Sequence, residues 1–147
     1  PGRIHHCMRM IGLAERALTL ACERGLSREA FGKPIVNLGG NRERIAEARL
    51  AIDQARLLVM RAAWLLDTHG VQGARTEVSA IKAVVPRMTC DIIDMAIQMY
   101  GGAGMSAQTP LAEMYAGARS LRLADGPDEV HLGMVSRAEL QKHGASR

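Results

Sequence analysis

The segment "ADGPDEVH" at residues 124–131 places a carboxylate in an unusual setting for a surface turn. Asp125 follows the apolar Leu121, Leu123 and Ala124, and Gly126 and Pro127 fix the backbone immediately after it. A carboxylate held there, with a helix N-terminus behind it, suits the work of a general base in a cleft. A turn aspartate that hydrogen-bonds its own backbone has the same local sequence, and spacing alone does not choose between the two. A second segment, "YGGAG" at 100–104, follows a helical pattern instead of a strand and lacks the Gly-x-Gly-x-x-Gly spacing of a dinucleotide loop. Its Gly101 and Gly102 read either as helix C-cap glycines or as bare backbone that a bulky anionic ligand can approach.

Other chemistries find little support. His5 and His6 are adjacent and point to different sides of a helix, while His69, His131 and His143 have no partner at metal-ligand spacing, so no metal site is expected. Cys7 and Cys22 would lie about 22 Å apart on one helix and cannot bridge; with Cys90 they make an odd count that reads as reduced core thiols. No nucleophile elbow is present. The 19 Lys and Arg against 15 Asp and Glu leave a net charge of only +4. Arginines alternate with acids along Arg42, Glu43, Arg44, Glu47, Arg49, Asp53 and Arg56, the pattern of solvated helix faces and not of a nucleic-acid surface. No apolar run approaches the 18 or so residues of a membrane span, and no signal peptide is visible, so a soluble intracellular protein is expected.

The elements that must position Asp125 are helices. The 147 residues suit one domain, and two Tyr, one Phe and one Trp are too few aromatics for a β-sandwich of this length. Ile4, Met8, Ile11, Ala14, Leu18 and Ala21 mark a long first helix ended by Gly32 and Pro34. Asn41 is the expected N-cap of a second, whose seam Ile45, Ala48, Ile52, Ala55, Val59, Ala62 and Leu66 steps three and four until Gly70 and Gly73. The third carries Val78, Ile81, Val85, Met88, Ile92, Met95 and Met99, with a kink expected before Pro86. Thr109 as N-cap with Pro110 opens a fourth to about Leu123, and a fifth runs from Pro127 to about Lys142. The pattern predicts an all-α fold: an up-down-up-down four-helix bundle with an additional C-terminal helix. The chain opens with Pro1 directly in helical pattern, so an upstream segment is expected to have been removed.

Taken in order, "SREAFGKPI", "QMYGGAG" and "RSLRLADGPDEVH" resemble the C-terminal helical domain of the acyl-CoA dehydrogenase family, and the resemblance covers essentially the whole of residues 1–147. In that family such a bundle follows an N-terminal helical domain and a middle β-domain, neither of which this chain contains. The resemblance implies FAD-dependent α,β-dehydrogenation of a fatty acyl-CoA thioester: a carboxylate removes an α-proton while a hydride leaves the β-carbon for the flavin.

By the same resemblance Asp125 is the base, in the family branch that has Asp for the usual Glu, and its own backbone N–H polarises the thioester carbonyl. Ala124 and Pro127 stand where the common pattern has Tyr and Thr. The implied FAD contacts are Arg28 and Phe31, then Gln98, Met99, Tyr100, Gly101 and Gly102, which in the family reach the FAD of a neighbouring subunit, and Pro127, Asp128 and Glu129. Pro1, Gly2, Arg3 and Gly126 are the implied acyl-CoA contacts. The implied partners are an electron-transferring flavoprotein as acceptor and further copies of the chain in a dimer or tetramer, with no nucleic acid and no membrane span. The departures at Ala124, Asp125 and Pro127 also allow a bundle that kept the fold as an oligomerisation module and lost catalysis.

Overall fold

A computed structural model describes residues 2–145. Five helices account for about three quarters of it: α1 (Gly2–Ser27), α2 (Asn41–Gly73), α3 (Arg75–Tyr100), α4 (Leu111–Ser120) and α5 (Asp128–Lys142). The expected all-α bundle with a fifth helix is what the chain forms. Helix α3 is central and packs against the other four. The seams meet there, with Ile11, Ala14 and Ala21 of α1, Ile52, Val59 and Ala62 of α2 and Ile81, Val85 and Ile93 of α3 all buried. Alanines at facing positions let the helix axes approach closely, which explains the Ala-rich composition. One seam position is corrected: Met8 is exposed, and Cys7 and Met10 take the buried places on α1.

Helix ends differ from expectation in instructive ways. Asn41 is the first residue of α2, after Gly40 in the left-handed region, and its side chain donates 2.8 Å to the Ile35 carbonyl instead of capping the helix. The Thr109 hydroxyl likewise donates to the Ala103 carbonyl, and α4 stops at Ser120, leaving residues 121–127 as a non-helical loop. Gly70, with φ 69° and ψ −173°, breaks the end of α2 as expected. Helix α3 runs through Pro86 as one element. Helix α1 ends at Ser27, ahead of the Gly32 and Pro34 expected to end it, and the segment between it and α2 folds into a hairpin of β1 (Glu29–Ala30) and β2 (Lys33–Pro34), turned by Phe31 (φ 52°) and Gly32 (φ 75°). Two successive positive φ values make a turn of the tight hairpin type, which usually takes Asn-Gly or Gly-Gly. A phenylalanine there is strained.

Glu15 of α1 ties the bundle to α2 by accepting from Arg49 at 2.8 Å and Arg56 at 2.6 Å. The Arg49 hydrogen bond, more than the burial that opposes it, lowers the carboxyl pKa. A depressed folded-state pKa stabilises the fold above the ordinary carboxylate range, and that contribution disappears as pH falls through the folded value. The site is about a third exposed, so solvent screens the effect to a modest one. Thermal melts of Glu15→Gln are expected to show a lower Tm than the parent at pH 7 and a difference that shrinks below pH 4; a pH-independent difference would assign Glu15 a packing role instead.

Candidate functional site

Asp125 sits in the loop between α4 and α5 with φ 56°, a left-handed conformation that Asp tolerates better than most residues. Gly126 follows at φ 101°, and a Cβ there would stand 2.9 Å from His131 Nε2, so only glycine fits. Three side chains hold this loop from behind. Lys82 of α3, fully buried, donates from Nζ to the carbonyls of Leu121 and, at 3.3 Å, Gly126. His131 of α5 lies 3.2 Å from the Asp125 carbonyl, which can only accept, so Nε2 carries the proton. Burial above all lowers the His131 pKa, with nearby Lys82 acting in the same sense, and the ring stays neutral at pH 7. Asp128, buried, accepts 2.8 Å from Arg122 Nε and closes the base of the loop.

With the loop carbonyls drawn inward, the Asp125 carboxylate faces out. Its Oδ2 is 3.3 Å from His6 Nε2 on α1, and its side chain remains about half exposed. The Asp125 N–H finds no acceptor among the described residues. Asp125 lines a cleft of about 330 Å³ together with Gly2 and Arg3 of α1, Leu66 and Val71 of α2, and Arg75 and Val78 of α3. The cleft pairs an apolar wall with two guanidinium groups at its rim. A carboxylate and a free backbone donor side by side can take a proton from carbon and stabilise the oxyanion that forms. Cys7, close to Lys82, is no rival nucleophile, because burial pushes its pKa up to about 12.

A second site lies at the other end of the bundle. A groove of about 560 Å³ is lined by Phe31, Ile35, Leu38, Arg44, Gln98 and Met99. Phe31 is 94% exposed at the hairpin tip, and a Cβ placed on Gly101 or Gly102 would meet nothing within 4 Å. A flat aromatic ring with attached anionic groups fits such a place: bare aromatic and apolar surface, an amide, a cation and open backbone.

The sequence-predicted residues therefore fall into two groups. Gly2, Arg3 and Asp125 come together at the first cleft, with Gly126 next to Asp125 in the loop but not lining the cleft, Pro127 ending the loop and Glu129 exposed on the first turn of α5, whereas Asp128 turns its carboxylate inward to Arg122. Pro1 lies outside the described residues. Phe31, Gln98 and Met99 gather at the second groove, with Arg28 exposed at the hairpin base and Gly101 and Gly102 exposed at the end of α3. Tyr100 lies under the Arg24 guanidinium, 5.3 Å from its ring centre. Lys82 and Gln98 are 16 residues apart on α3, so the groups are separated by about 24 Å along its axis. One subunit does not gather all the predicted cofactor contacts. His6, Lys82, His131 and Arg44 were missed by sequence reasoning. Among the described residues no group of three or more His, Cys, Asp or Glu is placed to hold a metal ion, and no helix is long and apolar enough to cross a membrane.

Residues 1–140 match the family model described as acyl-CoA dehydrogenase, C-terminal domain. A curated relative, "Probable acyl-CoA dehydrogenase FadE2" of Mycobacterium tuberculosis, is 55% identical over 97% of this chain and 35% of its own length. A solved structure described as "a putative acyl-CoA dehydrogenase" from Mycobacterium abscessus superposes with a TM-score of 0.97 at 64% identity, covering 98% of this chain and 35% of that one. Butyryl-CoA dehydrogenase of Megasphaera elsdenii superposes with a TM-score of 0.86 at 29% identity over 95% of this chain and 36% of that one. The chain thus spans about a third of the length of each of these three proteins.

Proposed function

Because the chain belongs to the acyl-CoA dehydrogenase family as its C-terminal domain, we propose that it is the portion of a FAD-dependent fatty acyl-CoA dehydrogenase that supplies the catalytic base. The observation that carries this reading is Asp125, whose half-exposed side chain and unpaired N–H belong to a residue lining the cleft with Gly2 and Arg3. FAD, when bound, supplies an acceptor for the hydride that leaves the β-carbon. Asp125 takes the α-proton on its carboxylate, and its N–H donates to the thioester carbonyl as negative charge grows on that oxygen. Arg3 and Arg75 at the rim suit the anionic CoA, and Leu66, Val71 and Val78 give the acyl chain a dry wall. An acyl chain seated on that wall excludes water from the cleft.

Arg28, Phe31 and Gln98–Gly102 at the second groove would hold FAD belonging to the active site of another subunit, while Pro127 and Glu129 would contact the FAD of their own. The 24 Å or so between the two groups along α3 supports this division, and a dimer or tetramer follows from it. An electron-transferring flavoprotein would be the acceptor partner. The bundle alone, without the remaining two thirds of the relatives' length, is inactive.

The full-length protein carries the test. It is expected to purify as a yellow, FAD-containing dimer or tetramer by sedimentation, and anaerobic titration with acyl-CoAs of graded length is expected to bleach the flavin absorbance. A flavin-loaded preparation that no acyl-CoA reduces would overturn the enzyme reading in favour of a non-catalytic oligomerisation module.

A further inference from the structure

Lys82 is fully buried, yet its amine is spent on two backbone carbonyls of a loop 39 and 44 residues further along the chain. Burying such a group costs stability unless it is fully hydrogen-bonded, so its presence in an otherwise apolar stretch of α3, between Ile81 and Val85, calls for a reason beyond packing. The carbonyls it takes bracket Asp125: Leu121 lies before it and Gly126 directly after. His131 takes the carbonyl between them, that of Asp125 itself, from a different helix. Carbonyls drawn to the bundle interior by α3 and α5 leave the opposite face of the loop to present the Asp125 N–H and carboxylate to the cleft. Unconstrained, a non-glycine residue at φ 56° would relax towards the right-handed region, rotating both groups away.

We propose that Lys82 and His131 are positioning residues: together they form a clamp that holds Asp125 in its left-handed, proton-abstracting orientation. Neither touches the substrate cleft; both act through the loop backbone. This rests on the reading of Asp125 as the base. The neutral state of His131 belongs to the same design, since a protonated ring would stand beside the buried Lys82 amine, with Arg3 of α1 adding to the repulsion and Asp128 of α5 opposing it. A clamp made of a lysine and a neutral imidazole donates to carbonyls without placing a second cation under the base.

The test is a double-mutant cycle on the full-length, flavin-loaded protein, read by stopped-flow flavin reduction at saturating acyl-CoA. Lys82→Met keeps the side-chain length and loses the donors. It is expected to slow reduction by on the order of tenfold to hundredfold, as a misplaced catalytic group does, with acyl-CoA affinity and flavin content per subunit unchanged. In an Asp125→Asn background the same change is expected to add less than about twofold, because there is no base left to misplace. Equal losses in both backgrounds, or a loss confined to acyl-CoA affinity, would overturn the clamp. Should Lys82→Met fail to yield folded protein, His131 carries the same comparison: His131→Gln, whose amide can donate to the Asp125 carbonyl, is expected to retain the rate that His131→Leu loses, and equal rates for the two would overturn it. Asp125→Asn alone reducing at the parent rate would overturn the reading of Asp125 as base, and the clamp with it.

Discussion

Asp125→Asn in the full-length flavoprotein is expected to slow flavin reduction by acyl-CoA about 10²- to 10⁴-fold, the range for loss of a positioned general base, while acyl-CoA still binds and perturbs the flavin spectrum. Asparagine is the substitution that isolates the chemistry. It has nearly the same size as aspartate and tolerates the left-handed φ of 56° equally well, so the loop, its clamp and the free N–H stay in place. Only the basic oxygen is replaced. The amide is also close enough in shape to keep the place of the carboxylate beside His6 Nε2, 3.3 Å from Oδ2 in the parent. Asp125→Glu lengthens the arm by one methylene towards His6, so partial activity is expected, below the parent and well above the amide. Near-parental reduction in Asp125→Asn would place the base outside this domain.

Why Asp125 was legible while its supports were not follows from where the information lies. The seam of Ile52, Ala55, Val59 and Ala62 is written in local order, because one face of a helix repeats every 3.6 residues. The turn at Asp125 is likewise local, since Gly126 permits a positive φ and Pro127 fixes its own φ wherever they stand. The role of Lys82 depends instead on a loop some 40 residues away, and its only trace in the sequence is a lone cation inside the apolar run "AIKAVV". His131 was dismissed for want of a metal partner, when its partner is a main-chain carbonyl that no pattern of side chains announces. Met8 was assigned to the core because a four-residue step is as helical as the three-residue step that buries Cys7 instead. The hairpin at Phe31 was missed because phenylalanine is a poor residue for a tight turn, and that mismatch is the signal: a strained, bare aromatic ring is kept where a ligand or partner covers it.

That hairpin also bears on the flavin. Arg28→Ala in the full-length protein is expected to weaken FAD retention tenfold to hundredfold, as the loss of one charge-assisted hydrogen bond of about 1.5 to 3 kcal/mol does. The Arg28 side chain is exposed and forms no hydrogen bond or ion pair with the described residues, so removing it takes nothing from the bundle. Its backbone does the structural work: the N–H donates 3.0 Å to the Arg24 carbonyl, and the carbonyl accepts from Ile35 at 2.8 Å, which closes the base of the hairpin. Alanine preserves both bonds, and helical circular dichroism should be unchanged. Arg24→Ala serves as the internal comparison, since that guanidinium is occupied over the Tyr100 ring at 5.3 Å and is less free to bind an anion. Equilibrium dialysis of the two variants then separates the roles. Flavin lost from Arg28→Ala and kept by Arg24→Ala assigns the pyrophosphate to the hairpin, whereas full flavin occupancy in Arg28→Ala under dilution would make Arg28 a solvated charge and leave Phe31 and Gln98 to hold the cofactor without it.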